Sequence, residues 1–181
     1  MNNIKLLILD VDGVMTNGQI TYDNNGNELK SFNVKDGLAI KQLQEAGIAV
    51  AIITARESAI VTKRAKELNI KYLYQNEPNK IKAYQQLITL LNLTPTEVAY
   101  LGDDWTDLPV LLEVGLPAVV QDAETLLKPH AKVVTEKKGG AGAVRELAYL
   151  ILQAQNKLDS VIQKYYTSAD NTKPITITEN H

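Results

Sequence analysis

The sequence predicts an α/β fold, one parallel sheet with helices on both faces. Three observations lead there. Short apolar runs at residues 4–9, 48–53, 98–101 and 117–120 are bounded by turn residues, the pattern of buried parallel strands. Segments with apolar positions at helical spacing separate them, as with Ile60, Val61, Ala65 and Leu68. No period of about 20 to 50 residues recurs, so the chain is not a stack of repeats.

The first strand runs straight into Asp10-Val11-Asp12-Gly13. Residues two apart in an extended chain point to one side, so both carboxylates can face one small volume before the chain turns at Gly13. Two adjacent acids repel unless a hard cation lies between them. The competing reading is a plain strand-ending turn, for which Asp and Gly are ordinary residues. Residues 19–23 and 29–33 flank Asn24-Asn25-Gly26-Asn27 and predict a β-hairpin flap near the Asp10 turn. Asp36 is placed to cap a helix through about Ala46, ended by Gly47. The strand over 48–53 ends in Thr54-Ala55-Arg56, and a helix over 57–68 and a short strand over 71–74 follow. Asn76-Glu77-Pro78-Asn79 starts a helix with Lys80 in its first turn. Thr94-Pro95-Thr96-Glu97 predicts a single capped turn. The strand over 98–101 is followed at once by Gly102-Asp103-Asp104-Trp105-Thr106-Asp107. A helix over 108–114, strand over 117–120, helix over 123–127 and strand over 132–134 come next. After the glycine-rich segment 137–142, residues 143–158 read as the last helix. This makes residues 1–163 one domain and 164–181 a polar tail.

Composition narrows the function. The 181 residues are 45% hydrophobic and 22% charged, an ordinary globular balance. A net charge of −2 offers no nucleic-acid footprint and no attraction to an anionic membrane. The absence of cysteine excludes disulfides, thiol chemistry and Cys-rich zinc sites. No apolar run approaches the roughly 18 residues of a membrane span, and the start lacks a signal-peptide pattern, so a cytoplasmic location is expected.

Asp10 and Asp12, Thr54, Lys80, and the Asp103/Asp104/Asp107 cluster all stand where a strand ends or a helix begins. Each has a plain alternative: Thr54 as a helix cap, Lys80 as a solvated lysine, the acids as favourable charge at a helix start. Together they fit phosphoryl transfer, with an aspartate nucleophile, a metal among carboxylates, and Thr and Lys on the transferring oxygens. In this order they resemble the four motifs of the haloacid dehalogenase superfamily of phosphohydrolases. Phe32-Asn33-Val34-Lys35-Asp36-Gly37, Thr54-Ala55-Arg56, Ala99-Tyr100-Leu101-Gly102-Asp103-Asp104 and residues 139–146 resemble one branch, the 3-deoxy-D-manno-octulosonate 8-phosphate (KDO 8-phosphate) phosphatases of lipopolysaccharide biosynthesis.

That resemblance implies a Rossmann-like sheet and a phosphoric monoester hydrolase. It makes Asp10 the nucleophile, Asp12 the proton shuttle, and Asp10, Asp12 and Asp103 the contacts to Mg²⁺, with Asp104 and Asp107 orienting its shell. Thr54 and Lys80 hold the phosphoryl group. Around the substrate it places Asp12, Asn33, Val34, Lys35, Asp36, Arg56, Arg64 and Lys80. Arg56 and Arg64, eight apart on one helix side, are candidate clamps for a substrate carboxylate, while Arg64 also suits a solvated basic face. The intervals between motifs are too short for the cap domain many relatives carry, so the resemblance implies a homotetramer in which hairpin and neighbouring subunits enclose the sugar. Two rivals remain: a phosphatase of a nine-carbon 2-keto-3-deoxy sugar acid phosphate, whose relatives tend to carry an acid at the position of Arg56, and a phospho-accepting signalling module.

Overall fold

The computed structural model describes residues 1–168. Its centre is a six-stranded parallel sheet in the order β5-β4-β1-β6-β7-β8. These strands are β1 (Leu6–Leu9), β4 (Ala49–Ile53), β5 (Tyr72–Tyr74), β6 (Val98–Gly102), β7 (Leu116–Val119) and β8 (Val133–Val134). Every residue of β1 is fully buried, because helices cover both faces of the sheet. Burying each such leucine or isoleucine contributes about 1.5–3 kcal/mol.

Register fixes the functional rim. Leu9 lies level with Ile52 of β4 and Leu101 of β6, so the residues just beyond emerge side by side. After β1 the chain crosses first toward β4 and later returns to β6 on the other side. The space between β1 and β6 is therefore the point where strand order reverses, where ligands of such sheets bind.

The helices are α1 (Val34–Glu45), α2 (Ala59–Glu67), α3 (Lys80–Leu90), α4 (Leu108–Leu111), α5 (Ala143–Ala154) and α6 (Leu158–Ser168). Pro95–Glu97 forms the expected capped turn, closed by reciprocal bonds of Thr94 and Glu97. Four expectations are corrected. Helix α1 begins at Val34 rather than near Asp36, because the Asn33 side chain accepts from the Lys35 and Asp36 amides and is the cap. The hairpin strands are only β2 (Thr21–Tyr22) and β3 (Glu28–Leu29). The Asp23 carboxylate accepts from the Asn25 and Asn27 amides and widens the turn, while Asn33 is committed to the helix. The single last helix is two: Asn156 adopts φ 54°, and the Lys157 amide returns to the Leu152 carbonyl to close α5. The apolar period continues through the break, which hid it. Residues 164–168, expected in the tail, continue α6, where Tyr165 Oη accepts from Gln42. The rest of the expected tail, 169–181, lies outside the described residues.

Candidate active site

Asp10, Asp12, Thr54, Arg56, Lys80, Asp103, Asp104 and Thr106 line one cavity of about 140 Å³ at the carboxyl ends of β1, β4 and β6. A larger depression of about 560 Å³, lined in part by Lys41, Glu45, Ile48 and Lys71, opens near the amino end of β4 and gathers no acidic cluster.

The turn after β1 is shaped by neighbours on both sides. Gly13 has φ +97°, and a Cβ there would run into the Asp103 carboxylate. Gly139 packs on the Gly13 carbonyl with no room for a side chain, and the Gly140 amide donates to the Val14 carbonyl at 2.9 Å. The 137–142 loop thus supports this chain's own Asp10 turn.

Asp10, Asp103 and Asp107 each bring a carboxylate oxygen within 4.8 Å of the others. Lys80 enters from the start of α3 and is buried rather than solvated, its Nζ 2.9 Å from Asp10 Oδ1 and 2.6 Å from Asp107 Oδ1. Asp107 is fully enclosed. Its Oδ1 also accepts from Tyr100 Oη at 2.6 Å, and its Oδ2 from the Asp103 and Asp104 amides. With both oxygens taken, Asp107 orients Lys80 and the Asp103 loop, leaving Asp10 and Asp103 as the open carboxylates.

Burial, then the Asp107 charge, push the Asp10 carboxyl up to about 6, with Lys80 opposing. Burial, Asp10 and Asp107 push Asp103 up to about 8. Burial disfavours charge on Lys80, but Asp10 and Asp107 outweigh it and hold its pKa above the usual lysine value. Three clustered carboxylates against one ammonium leave an excess of negative charge on hard oxygen donors. This donor set fits a divalent cation such as Mg²⁺, which Asp10 and Asp103 could hold.

Asp12 lines the same cavity but faces its outer rim. Its Oδ1 is ion-paired with Lys30, and its Oδ2 lies 3.8 Å from Arg56 Nε. Thr54 is buried at the end of β4 and is not a helix cap, since α2 starts only after Ser58. Asp104 caps the turn at Trp105–Asp107. Lys30 and Glu28 were missed. Their i, i+2 spacing on a strand was a signal that both face one side.

The remaining predicted substrate contacts are not brought into this cavity. Asn33 caps α1 and donates to the Gly140 carbonyl at 3.3 Å. Val34 and Lys35 line a separate depression of about 450 Å³ with Asn17 and Gly140. Asp36 is buried, its Oδ1 accepting from the Arg145 amide, and so ties α1 to the start of α5. Arg64 lies over the Phe32 ring at 5.6 Å and fills the space above Gly37, which keeps it away from the acids.

Comparison with known proteins points in one direction. Residues 32–115 match the haloacid dehalogenase-like hydrolase family model. The chain is 51% identical over 157 residues, 87% of it and 84% of the relative, to the 3-deoxy-D-manno-octulosonate 8-phosphate phosphatase KdsC of Escherichia coli K12. A crystal structure of the phosphatase of that name from Yersinia pestis superposes with TM-score 0.86 at 51% identity, covering 87% of this chain and 85% of that one. The Moraxella catarrhalis phosphatase in complex with magnesium, phosphate and KDO superposes with TM-score 0.89 at 41% identity, covering 91% and 94%.

Proposed function

The chain belongs to the 3-deoxy-D-manno-octulosonate 8-phosphate phosphatases among the haloacid dehalogenase-like hydrolases, and we propose that it hydrolyses this sugar phosphate to KDO and phosphate with Mg²⁺. The observation that carries the reading is the convergence of Asp10, Asp12, Thr54, Lys80 and Asp103 on one small cavity.

Asp10 attacks phosphorus through a carboxylate oxygen, and the bond from phosphorus to the sugar oxygen breaks. Asp12, at the outer rim where the sugar departs, protonates the leaving oxygen. Asp12 then takes a proton from water, which attacks the aspartyl-phosphate, releases phosphate and regenerates Asp10. Thr54 and Lys80 donate to the phosphoryl oxygens; Lys80 is pre-aimed by Asp107, so little reorganisation is needed. When bound, the cation neutralises charge shared between the carboxylates and the phosphoryl oxygens. Arg56 takes the carboxylate of the sugar acid, a role supported by its position at the rim, where it is 37% exposed while paired with Glu28. The pair Asp10 and Asp12 also separates turnover from mere phosphate storage, since the second acid gives water a base.

The enzyme works as a homotetramer in the cytoplasm. The exposed Ile20, Tyr22 and Leu29 of the hairpin support an assembly that covers them, because a two-stranded hairpin alone is marginal in water. No helix among the described residues is long and apolar enough to cross a membrane.

Phosphate release from KDO 8-phosphate and from a nine-carbon analogue, measured side by side as kcat/KM, tests the assignment. Preference for the eight-carbon substrate is expected, and equal or reversed preference overturns it. Stable phosphorylation of Asp10 without turnover marks a signalling module instead.

A further inference from the structure

We propose that Lys30, carried in by the hairpin, is a positioning residue that aims the Asp12 carboxylate at the reacting group. The proposal rests on the phosphatase reading above, in which Asp12 moves the proton.

Alternation along the strand turns Glu28 and Lys30 toward the rim and leaves Leu29 exposed. A lysine ordinarily keeps its ammonium in water. The Lys30 side chain is only 1% exposed, although it belongs to a two-stranded hairpin on the surface. Its Nζ meets Asp12 Oδ1 and lies 3.4 Å from Glu28 Oε1. Glu28 is anchored in turn: Oε1 accepts from Arg56 Nη2 at 2.8 Å, and Oε2 from Ser58 Oγ at 2.8 Å. The hairpin is thereby tied to the loop after β4. Lys30 takes one oxygen of Asp12 while Arg56 faces the other, so two cations from separate segments fix the plane of the carboxylate. Asp10, by contrast, is held by Lys80 from within the core. The nucleophile is thus oriented by the sheet and the proton shuttle by the flap.

Displacing a proton-transfer group by about 1 Å costs on the order of a hundredfold in rate. In the first half-reaction an aryl leaving group departs without an acid, so p-nitrophenyl phosphate isolates the second half, where Asp12 must take the proton of the attacking water. The test is pre-steady-state hydrolysis of p-nitrophenyl phosphate by the full-length chain with Mg²⁺. For Lys30→Met the expected result is a burst near one p-nitrophenolate per site, followed by a steady rate about a hundredfold below wild type. Lys30→Arg restores much of that rate. General loosening of the hairpin slows both phases together without a burst; that outcome, or unchanged turnover in Lys30→Met, overturns the role of Lys30. Failure of wild type to release phosphate from any ester overturns the phosphatase reading and this proposal with it, whereas wild-type turnover with a burst-free Lys30→Met rejects Lys30 alone.

Discussion

Tyr100 Oη donates to Asp107 Oδ1 at 2.6 Å beneath the acid cavity, on the same oxygen that receives Lys80. A strand residue of the core thereby holds the acid that aims Lys80 toward Asp10. Burial and the Asp107 charge raise the Tyr100 phenol well above its usual value, so it remains a donor at any working pH.

Tyr100→Phe removes that donor and leaves the rest of the ring in place. A hydrogen bond to a charged group contributes about 1.5–3 kcal/mol, so a stability loss near 2 kcal/mol is expected. Lys80 still holds Asp107, and kcat is expected to fall only severalfold. Chemical denaturation and steady-state kinetics check the two effects separately.

The acid cluster makes metal-free stability depend on pH. Folding raises the Asp10 carboxyl from 3.8 to about 6 and Asp103 from 3.8 to about 8. The folded chain therefore binds more protons than the unfolded one across that interval, and its stability falls as pH rises from about 4 to about 8. With a chelator present, the melting temperature is expected to drop by several degrees between about pH 5 and about pH 8. Mg²⁺ is expected to bind the deprotonated cluster and so to stabilise the fold more at the higher pH. A flat metal-free profile would contradict the charge arrangement described above.

Gly139→Ala forces a methyl group into the Gly13 carbonyl, a backbone atom that cannot swing aside. A loss of about 2 kcal/mol or more is expected, together with weaker Mg²⁺ binding, because the displaced turn carries Asp10 and Asp12. Calorimetry with and without Mg²⁺ measures both.

Trp105 is the only tryptophan in the chain and stands between Asp104 and Thr106, two residues lining the cavity. Mg²⁺ is expected to change its fluorescence, and Asp103→Asn to shift the titration to at least about tenfold higher Mg²⁺. Asp10→Asn is expected to abolish phosphate release while leaving the circular-dichroism spectrum unchanged. A normal Mg²⁺ titration in Asp103→Asn would remove Asp103 from the metal site.

Much of the rim was legible because parallel strands order their ends. Asp10, Thr54 and Asp103 each follow an apolar run, and a β1-centred sheet has only one edge where those ends can meet. Lys80 was legible by position but not by environment. Its spacing marked a first helical turn, while its burial between Asp10 and Asp107 required the assembled sheet.

Asp36 illustrates the opposite case. Its sequence setting marked a helix cap or a substrate contact, yet its carboxylate is satisfied by the amide of Arg145, distant in the chain and adjacent in space. Arg64 likewise was expected to share a helix side with Arg56, but α2 begins only at Ala59 and leaves Arg56 in the preceding loop, while Phe32 and Gly37 form the resting place of Arg64. Local pattern says which face a side chain takes, whereas its partner depends on which helix packs there.

By itself the sequence determined the α/β class, the alternation of elements and the acids at the first and fourth core-strand ends, since periodicity and turn chemistry are local properties. Only the tertiary structure decided that Asp107 is consumed in holding Lys80, that the 137–142 loop supports the Asp10 turn, and that Lys30 reaches Asp12. Each of these is a contact between segments far apart in the chain, made by strand order and a folded-over hairpin, and distance in space is what a linear pattern does not carry.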